Sequence, residues 1–384
     1  MSASTEYVNT LLEEVDEVAE TEGPPLPMID EDFWAEISHN MADSLVVEQQ
    51  DDLLNEMEKQ GAKLMLSPDQ KRVRPGVYKE IVDSLDSNVP EEELGKVATL
   101  IETIHFYTKG LDDIQDGDEV RNGEKTLHAH MADLLGDEDL AESLANNYFI
   151  DIKTRNRDIV SELSSEYFSA EDREQIRDAL GDAENGLVHG QNLDLTGTQI
   201  GDDELGLKPN YLGGDLDVMD RMVTADKGKT AKLFGLIGSL AEISTEYEGE
   251  EIREWGENAG QAFQIADDVL DFRQERFSDI RDGNYTVPIY VAERFLHTHP
   301  DEELNQKGEY LTEIIQKEDP GDYELEEAYD IIVEDTPAME ASENLSRYLT
   351  EEANEYLEEV DWEKEDAKEK IQFMTEMMGY GREK

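Results

Sequence analysis

Apolar residues in this chain recur every three to four positions over long stretches, and that periodicity constrains the fold more than any other feature. From Leu94 to Leu111 they fall at Val97, Leu100 and Ile101, Ile104, Tyr107 and Leu111, along one face of an α-helix. From Trp255 a second stripe runs through Ala259, Ala262 and Phe263, Ala266, Val269 and Leu270. Residues 232–243 are apolar on most sides, the pattern of a helix buried among others. Alternating runs closed by hairpin turns, the mark of strands, are nearly absent. Breaks are expected near Ser67–Gln70, Asp86–Pro90, Gly136–Asp139, Gly197–Gly214, Glu248–Glu250, Arg273–Tyr285 and His299–Pro300. Residues 1–25, acidic and running into Gly23-Pro-Pro-Leu-Pro27, read as an extension ahead of the fold. No repeat or long linker interrupts the rest, so residues 26–384 are expected to form one all-α domain.

Charge narrows the functional classes. The chain carries 96 Asp and Glu against 33 Lys and Arg, a net charge of −63. Such a surface repels nucleic acid, whose binding needs a basic footprint. With no Cys there is no disulfide framework, thiolate metal site or Cys nucleophile. The N-terminus shows no basic region followed by an apolar run, and no uncharged apolar stretch is long enough to span a membrane. The expectation is a soluble, cytoplasmic protein. Its 15 Tyr, 10 Phe and 3 Trp are the makings of a packed interior, despite a composition near the disordered range. Acids spread from end to end suit a surface kept hydrated in concentrated salt, as in a halophile.

Two aspartate triplets, Asp112-Asp113-Ile-Gln-Asp116 and Asp267-Asp268-Val-Leu-Asp271, share the spacing DDxxD. On a helix these positions project from one side, so three carboxylates come within reach of the same cations. Crowded carboxylates raise one another's proton affinity, a conflict that an oxygen-preferring divalent cation resolves. Frequency alone proves little: 40 Asp in 384 residues give about 0.4 triplets by chance, the chain length times the cube of the Asp fraction. Placement says more. Each triplet ends an apolar helical stripe, where a charged cluster is costly without a compensating ion. The two lie 155 residues apart, which allows different helices facing across a cavity.

Clustered bases are informative in so acidic a chain. They occur at Lys71-Arg-Val-Arg74, from Arg121 to Lys125, from Lys153 to Arg157, and at Lys227-Gly-Lys229-Thr-Ala-Lys232. Bases beside metal-binding carboxylates suit a diphosphate, whose oxygens are shared between metal and Lys or Arg. The alternative is simple neutralisation of local acidic excess. Gly228-Lys-Thr230 is not a phosphate-binding P-loop, because Val223 stands where its first Gly is required.

In this order the residues resemble the trans-isoprenyl (polyprenyl) diphosphate synthase family, from about Leu66 to the C-terminus. Lys71-Arg-Val-Arg74-Pro75 is similar to GGKRxRP, and Glu102-Thr-Ile-His105 to ExIH. The first triplet with Arg121-Asn-Gly123-Glu-Lys-Thr126-Leu-His128 is similar to DDxxD…RRGxxTxH. Gly190-Gln191-Asn-Leu-Asp194-Leu resembles GQxxDL, Lys229-Thr230-Ala231 resembles KTA, and 263–271 resembles FQIxDDxLD. Asp279-Ile-Arg-Asp-Gly283-Asn-Tyr-Thr286-Val-Pro288 resembles DLREGKxTLP.

The resemblance implies helices around a central active-site cavity, usually in a homodimer, with a heteromer of related synthases as a variant. It implies head-to-tail condensation of isopentenyl diphosphate with an allylic diphosphate. Two or three Mg2+ ions, or Mn2+, held by both triplets assist departure of the allylic diphosphate. Carried over by position, Asp112, Asp116 and Asp267 are direct metal ligands, supported by Asp113, Asp268 and Asp271. Lys229, Gln264 and Arg121 hold the allylic diphosphate, and Lys71, Arg74 and His105 the isopentenyl diphosphate. Thr230 and Gln264 steady the allylic cation. His105 has a second reading, a satisfied core histidine, which its place in the motif disfavours. Tyr107 and Thr108, upstream of Asp112, occupy positions that set product length. An aromatic residue there favours a geranylgeranyl or farnesyl product, the former if the source is a halophilic archaeon.

Departures from the pattern all concern phosphate contacts or the helix before the first triplet. Asn122 replaces the second Arg of RRG, Asp69-Gln70 replace two glycines, and Asn284 replaces the Lys of GK. The loop after Asp271 lacks its lysine, with Arg273 or Arg276 as substitutes. Leu111 stands where a His often precedes the DD pair, and Lys109-Gly110 interrupt the apolar stripe. A different class therefore stays open, a non-catalytic subunit paired with an active synthase. A terpene cyclase is disfavoured, because Lys71, Arg74 and His105 would be idle in it.

Overall fold

Helix-period stripes become helices almost throughout. The computed structural model of the protein describes residues 3–21, 31–45, 52–67, 71–85, 87–121, 123–197, 227–245, 247, 249–317, 319–364 and 367–380. Among these are sixteen α-helices, a π turn and one two-residue antiparallel ribbon, an all-α fold. Two compact units divide the chain. The first comprises Met1–Gly181, Ser239–Gly249 and Trp362–Ala367, and the second Asp182–Gly238, Glu250–Asp361 and Lys368–Lys384.

In the first unit, α1 (Ala3–Thr21), α2 (Glu31–Leu45) and α3 (Asp52–Leu66) pack on one another. Val8, Leu11 and Val15 of α1 are buried, as are Phe33, Trp34, Ile37 and Met41 of α2. Residues 3–21, read as an extension, thus present a buried apolar face. Helix α4 (Val73–Ser84) follows and packs on α5 (Glu91–Asp116). Three glutamates in the first turn of α5 favour its positive N-terminal end. It ends at Gly117, whose φ of 71° is the left-handed cap that glycine adopts at little cost. A turn through Gly123 joins β1 (Val120–Arg121) to β2 (Glu124–Lys125), then come α6 (Leu127–Leu135) and α7 (Glu138–Glu162). Helix α7 packs along α5 through the edge-to-face pair Phe106–Phe149 (5.7 Å), and Phe149 fills the space left by Gly110. The first unit also takes the N-terminal part of α8 (Ala170–Gly197).

In the second unit, the π turn Lys227–Ala231 leads into α9 (Lys232–Ile243), whose residues from Ser239 on belong to the first unit, and α10 (Glu251–Arg273) follows. Then come α11 (Ser278–Asp282), α12 (Val287–Thr298), α13 (Glu302–Ile315), α14 (Asp322–Glu334), α15 (Ala338–Glu359) and α16 (Ala367–Gly379). Helix α10 packs against α15, with Ser346 donating to the Ala262 and Gly379 carbonyls at 2.9 and 2.6 Å. A core of Phe272, Ile280, Ile289, Leu296, Leu311, Leu325 and Ile332 unites α11 to α14 with the end of α10. Further breaks among the described residues, which the apolar pattern does not announce, fall at 316–317, 319–321, 335–337 and 360–364.

Candidate active site

At the end of α5 the first triplet separates by burial. Asp113 is buried, Asp112 partly so, and Asp116 exposed. The Arg121 guanidinium pairs with Asp113 and with Asp118 (2.9 Å), so the ribbon after α5 folds a cation back over the triplet. Burial pushes the Asp113 carboxyl up to about 6, against the lowering effects of Arg121 and Lys109.

His105, Lys109 and Asp113 follow one another at successive turns of α5, hence on one face. Burial, then the charges of Arg74, Lys109 and Arg121, hold the His105 imidazole well below its ordinary value. His105 is therefore neutral near pH 7, with one ring nitrogen able to donate and the other to accept. Arg74, near the start of α4, shares this electrostatic neighbourhood, and Lys71 just before α4 is exposed. Between them Arg72 points inward. Its backbone is left-handed (φ 45°), and its guanidinium donates to Ser38 Oγ (2.8 Å) and Met41 Sδ (3.2 Å), 5.6 Å from the Trp34 ring centroid. Motif reading passes over Arg72; the signal was an apolar, aromatic α2 with nothing in the sequence to pair it.

Tyr107 is buried, with Lys153 Nζ 5.9 Å from its ring centroid, and Thr108 Oγ1 donates to the Ile104 carbonyl at 2.7 Å. The Lys153 cluster thus contributes a cation beside the proposed length-setting position.

In the second unit the KTA segment is a π turn, a geometry often found at functional sites. Close backbone packing sets its position. A Cβ on Gly228 would lie 2.7 Å from the Gly186 carbonyl and from Gly190 Cα on α8; one on Gly260 would lie 2.8 Å from Ala231 Cα and the Thr230 carbonyl. Only glycines permit those approaches, and they bring Thr230 within hydrogen-bonding reach of Gln264. Thr230 Oγ1 donates to Gln264 Oε1 (2.7 Å), and Gln264 Nε2 donates to Asp268 Oδ1 (3.2 Å). Asp268 is buried, while Asp267 and Asp271 are partly exposed. Arg276 Nη1 binds Asp271 at 3.0 Å and Arg273 pairs with Glu343 on α15, so both substitute arginines are engaged within this unit. The side chains of Lys229 and Asp194, and residues Asn122, Asp69 and Gln70, lie outside the described residues.

Both triplets offer oxygen donors only, which fits a hard divalent cation. Among the described residues no three His, Asp or Glu converge into a ready cluster.

The chain is all-α, with one acidic triplet at the end of α5 and a second at the end of α10. Residues 55–332 match the family model described as Polyprenyl synthetase. The chain belongs to the polyprenyl synthetase family, whose activity is prenyl transfer that builds polyprenyl diphosphates with divalent metal. It is 28% identical over 273 residues to the short chain isoprenyl diphosphate synthase of Methanocaldococcus jannaschii, covering 68% of this chain and 72% of that protein. It is 25% identical to the geranylgeranyl diphosphate synthase of Saccharolobus solfataricus, over 57% of this chain and 61% of that one. The solved geranylgeranyl pyrophosphate synthase of Corynebacterium glutamicum, complexed with isoprenyl diphosphate and magnesium, shares the fold at a TM-score of 0.74 and 18% identity, covering 90% of this chain and 97% of that one. Among the described residues no helix is long and apolar enough to cross a membrane.

Proposed function

We propose that this protein is a geranylgeranyl-type diphosphate synthase, condensing isopentenyl diphosphate with an allylic diphosphate in the salt-rich cytoplasm of a halophile, as a homodimer. The observation that carries this reading is the set of groups at the end of α5. Asp112, partly buried, and Asp116, exposed, stand one turn apart, while Arg74 and Arg121 act on His105 and Arg121 pairs with the buried Asp113.

Magnesium, bound, supplies electrophilic assistance to loss of the allylic diphosphate. Asp112 and Asp116 would hold such ions on the first unit, and Asp267 and Asp271 on the second. Asp113 and Asp268 brace those carboxylates from within, held by Arg121 and Gln264. Lys71, Arg74 and neutral His105 bind isopentenyl diphosphate. Lys229 and Arg121 take oxygens of the allylic diphosphate, and the Thr230–Gln264 pair presents oxygen dipoles to the allylic cation. No nucleophilic side chain is needed, because the isopentenyl double bond is the attacking group. A geranylgeranyl product is supported by the aromatic Tyr107, which is buried about one and a half turns before Asp112.

The test incubates purified protein with isopentenyl diphosphate and labelled farnesyl diphosphate in magnesium and molar potassium chloride. A product one isoprene unit longer is expected, and its absence with allylic primers of every length overturns the enzyme reading. Alanine at both Asp112 and Asp116 lowers turnover at least about a thousandfold, since it removes a charge-stabilising group from the transition state.

A further inference from the structure

The α5 cluster contains one cation that the family motifs leave unassigned. Lys109 lies one turn from His105 and one from Asp113, on the face that carries both. It is partly buried, and the charges that act on it are Arg121, Asp113, Arg74 and Glu102. Asp113 already pairs with Arg121, and Glu102 also acts on the buried Arg72. Among the described residues the Lys109 ammonium forms no hydrogen bond or ion pair of its own. Arg74, Lys109 and Arg121 thus gather beside His105, and the carboxylates among them, Asp113, Asp118 and Glu102, engage Arg121 and act on Arg72 without bonding the Lys109 ammonium.

A lysine in an apolar stripe beside two guanidiniums is costly unless an anion completes the group. The neighbouring sequence shows what was lost: Asn122 stands where the motif has a second arginine. An ammonium on a flexible four-carbon stem, with three donors, suits a phosphate oxygen as a point charge. We propose that Lys109 is a diphosphate-binding residue of the isopentenyl diphosphate subsite, supplying from α5 the charge that Asn122 does not.

The inference rests on Arg74 and His105 forming that subsite, and the experiment separates the two claims. Isopentenyl diphosphate is titrated calorimetrically into the full-length protein and its Lys109→Leu, Lys109→Gln, Lys109→Arg and Arg74→Ala variants, with steady-state kinetics alongside. Both neutral variants at Lys109 should bind isopentenyl diphosphate about tenfold more weakly. They should raise its KM while kcat and the KM of the allylic substrate stay within about twofold; a merely structural role would not give that split. Lys109→Arg should stay within about threefold of wild type. Wild-type binding in both neutral variants, with Arg74→Ala impaired, overturns the role of Lys109 and leaves the subsite standing. Failure of the wild-type protein to bind isopentenyl diphosphate overturns both. The glutamine variant decides the matter if leucine disturbs the fold.

Discussion

Gln264 divides its amide between two partners and so fixes a buried carboxylate. Its Oε1 accepts from Thr230 and its Nε2 donates to Asp268, which orders Asp268 between the outward Asp267 and Asp271. In Thr230→Val the shape is kept but the donor is lost. Leaving that oxygen unsatisfied costs about 1–3 kcal/mol. The consequence belongs to metal binding as much as to stability, because a loosened Gln264 no longer orients Asp268. Thr230→Val should need several-fold more magnesium for half-maximal turnover, whereas Thr230→Ser should not. Equal magnesium requirements in all three proteins would show that the hydrogen-bond chain plays no part in holding metal.

Helices were legible where hydrophobicity is periodic, as in α5 and α10, since burial of one face imposes the 3.6-residue repeat. The fine positioning was not. Gly186, Gly190, Gly228 and Gly260 bring three elements to backbone contact, yet glycine adds nothing to an apolar stripe. The Thr230–Gln264 bond joins residues 34 apart and depends on those contacts. Motif order revealed the triplets, but not that Asp113 and Asp268 turn inward or that Lys109 joins the cations. Polar clips between elements were equally hidden. Glu293 on α12 accepts from Tyr285 (3.2 Å), before α12, and from Thr312 (2.6 Å) on α13, and His297 contacts Thr312 at 3.1 Å. Burial holds the Glu293 carboxyl above its ordinary range, and the hydrogen bonds from Thr312 and Tyr285 offset only part of that. The folded state thus keeps a proton that the unfolded chain has released, so stability falls as pH rises from the ordinary carboxylate value through the raised one. Glu293→Gln still accepts both hydroxyls and does not titrate. By urea unfolding it should exceed wild type at about pH 8 and match it near pH 4. An equal gap at both values would mean that the carboxylate carries no burial penalty.

At the scale of the whole molecule, charge and packing oppose one another. Even if each of the 33 basic residues is paired, 63 of the 96 acids remain without a cationic side chain. The described ion pairs are largely half-exposed or within a helix turn, as in Lys79–Asp83 (2.7 Å) and Arg253–Glu250 (3.0 Å). Exposed pairs of this kind contribute about 0–1 kcal/mol each. Salt weakens both the pairs and the repulsion among the excess acids, and the numbers decide which effect wins. Repulsive partners outnumber attractive ones, and the Debye length falls from about 10 Å at 0.1 M to about 3 Å at 1 M, within the spacing of neighbouring surface acids. Relief of repulsion therefore exceeds loss of the pairs, and the compact state gains. The unfolding midpoint should climb steadily as potassium chloride is raised from about 0.1 M to about 2 M. Turnover should rise with it over the range in which the low-salt protein is partly unfolded. A midpoint that is flat or falls with salt would show that the acidic coat is not held in check by counterions, and the halophilic reading would fail with it.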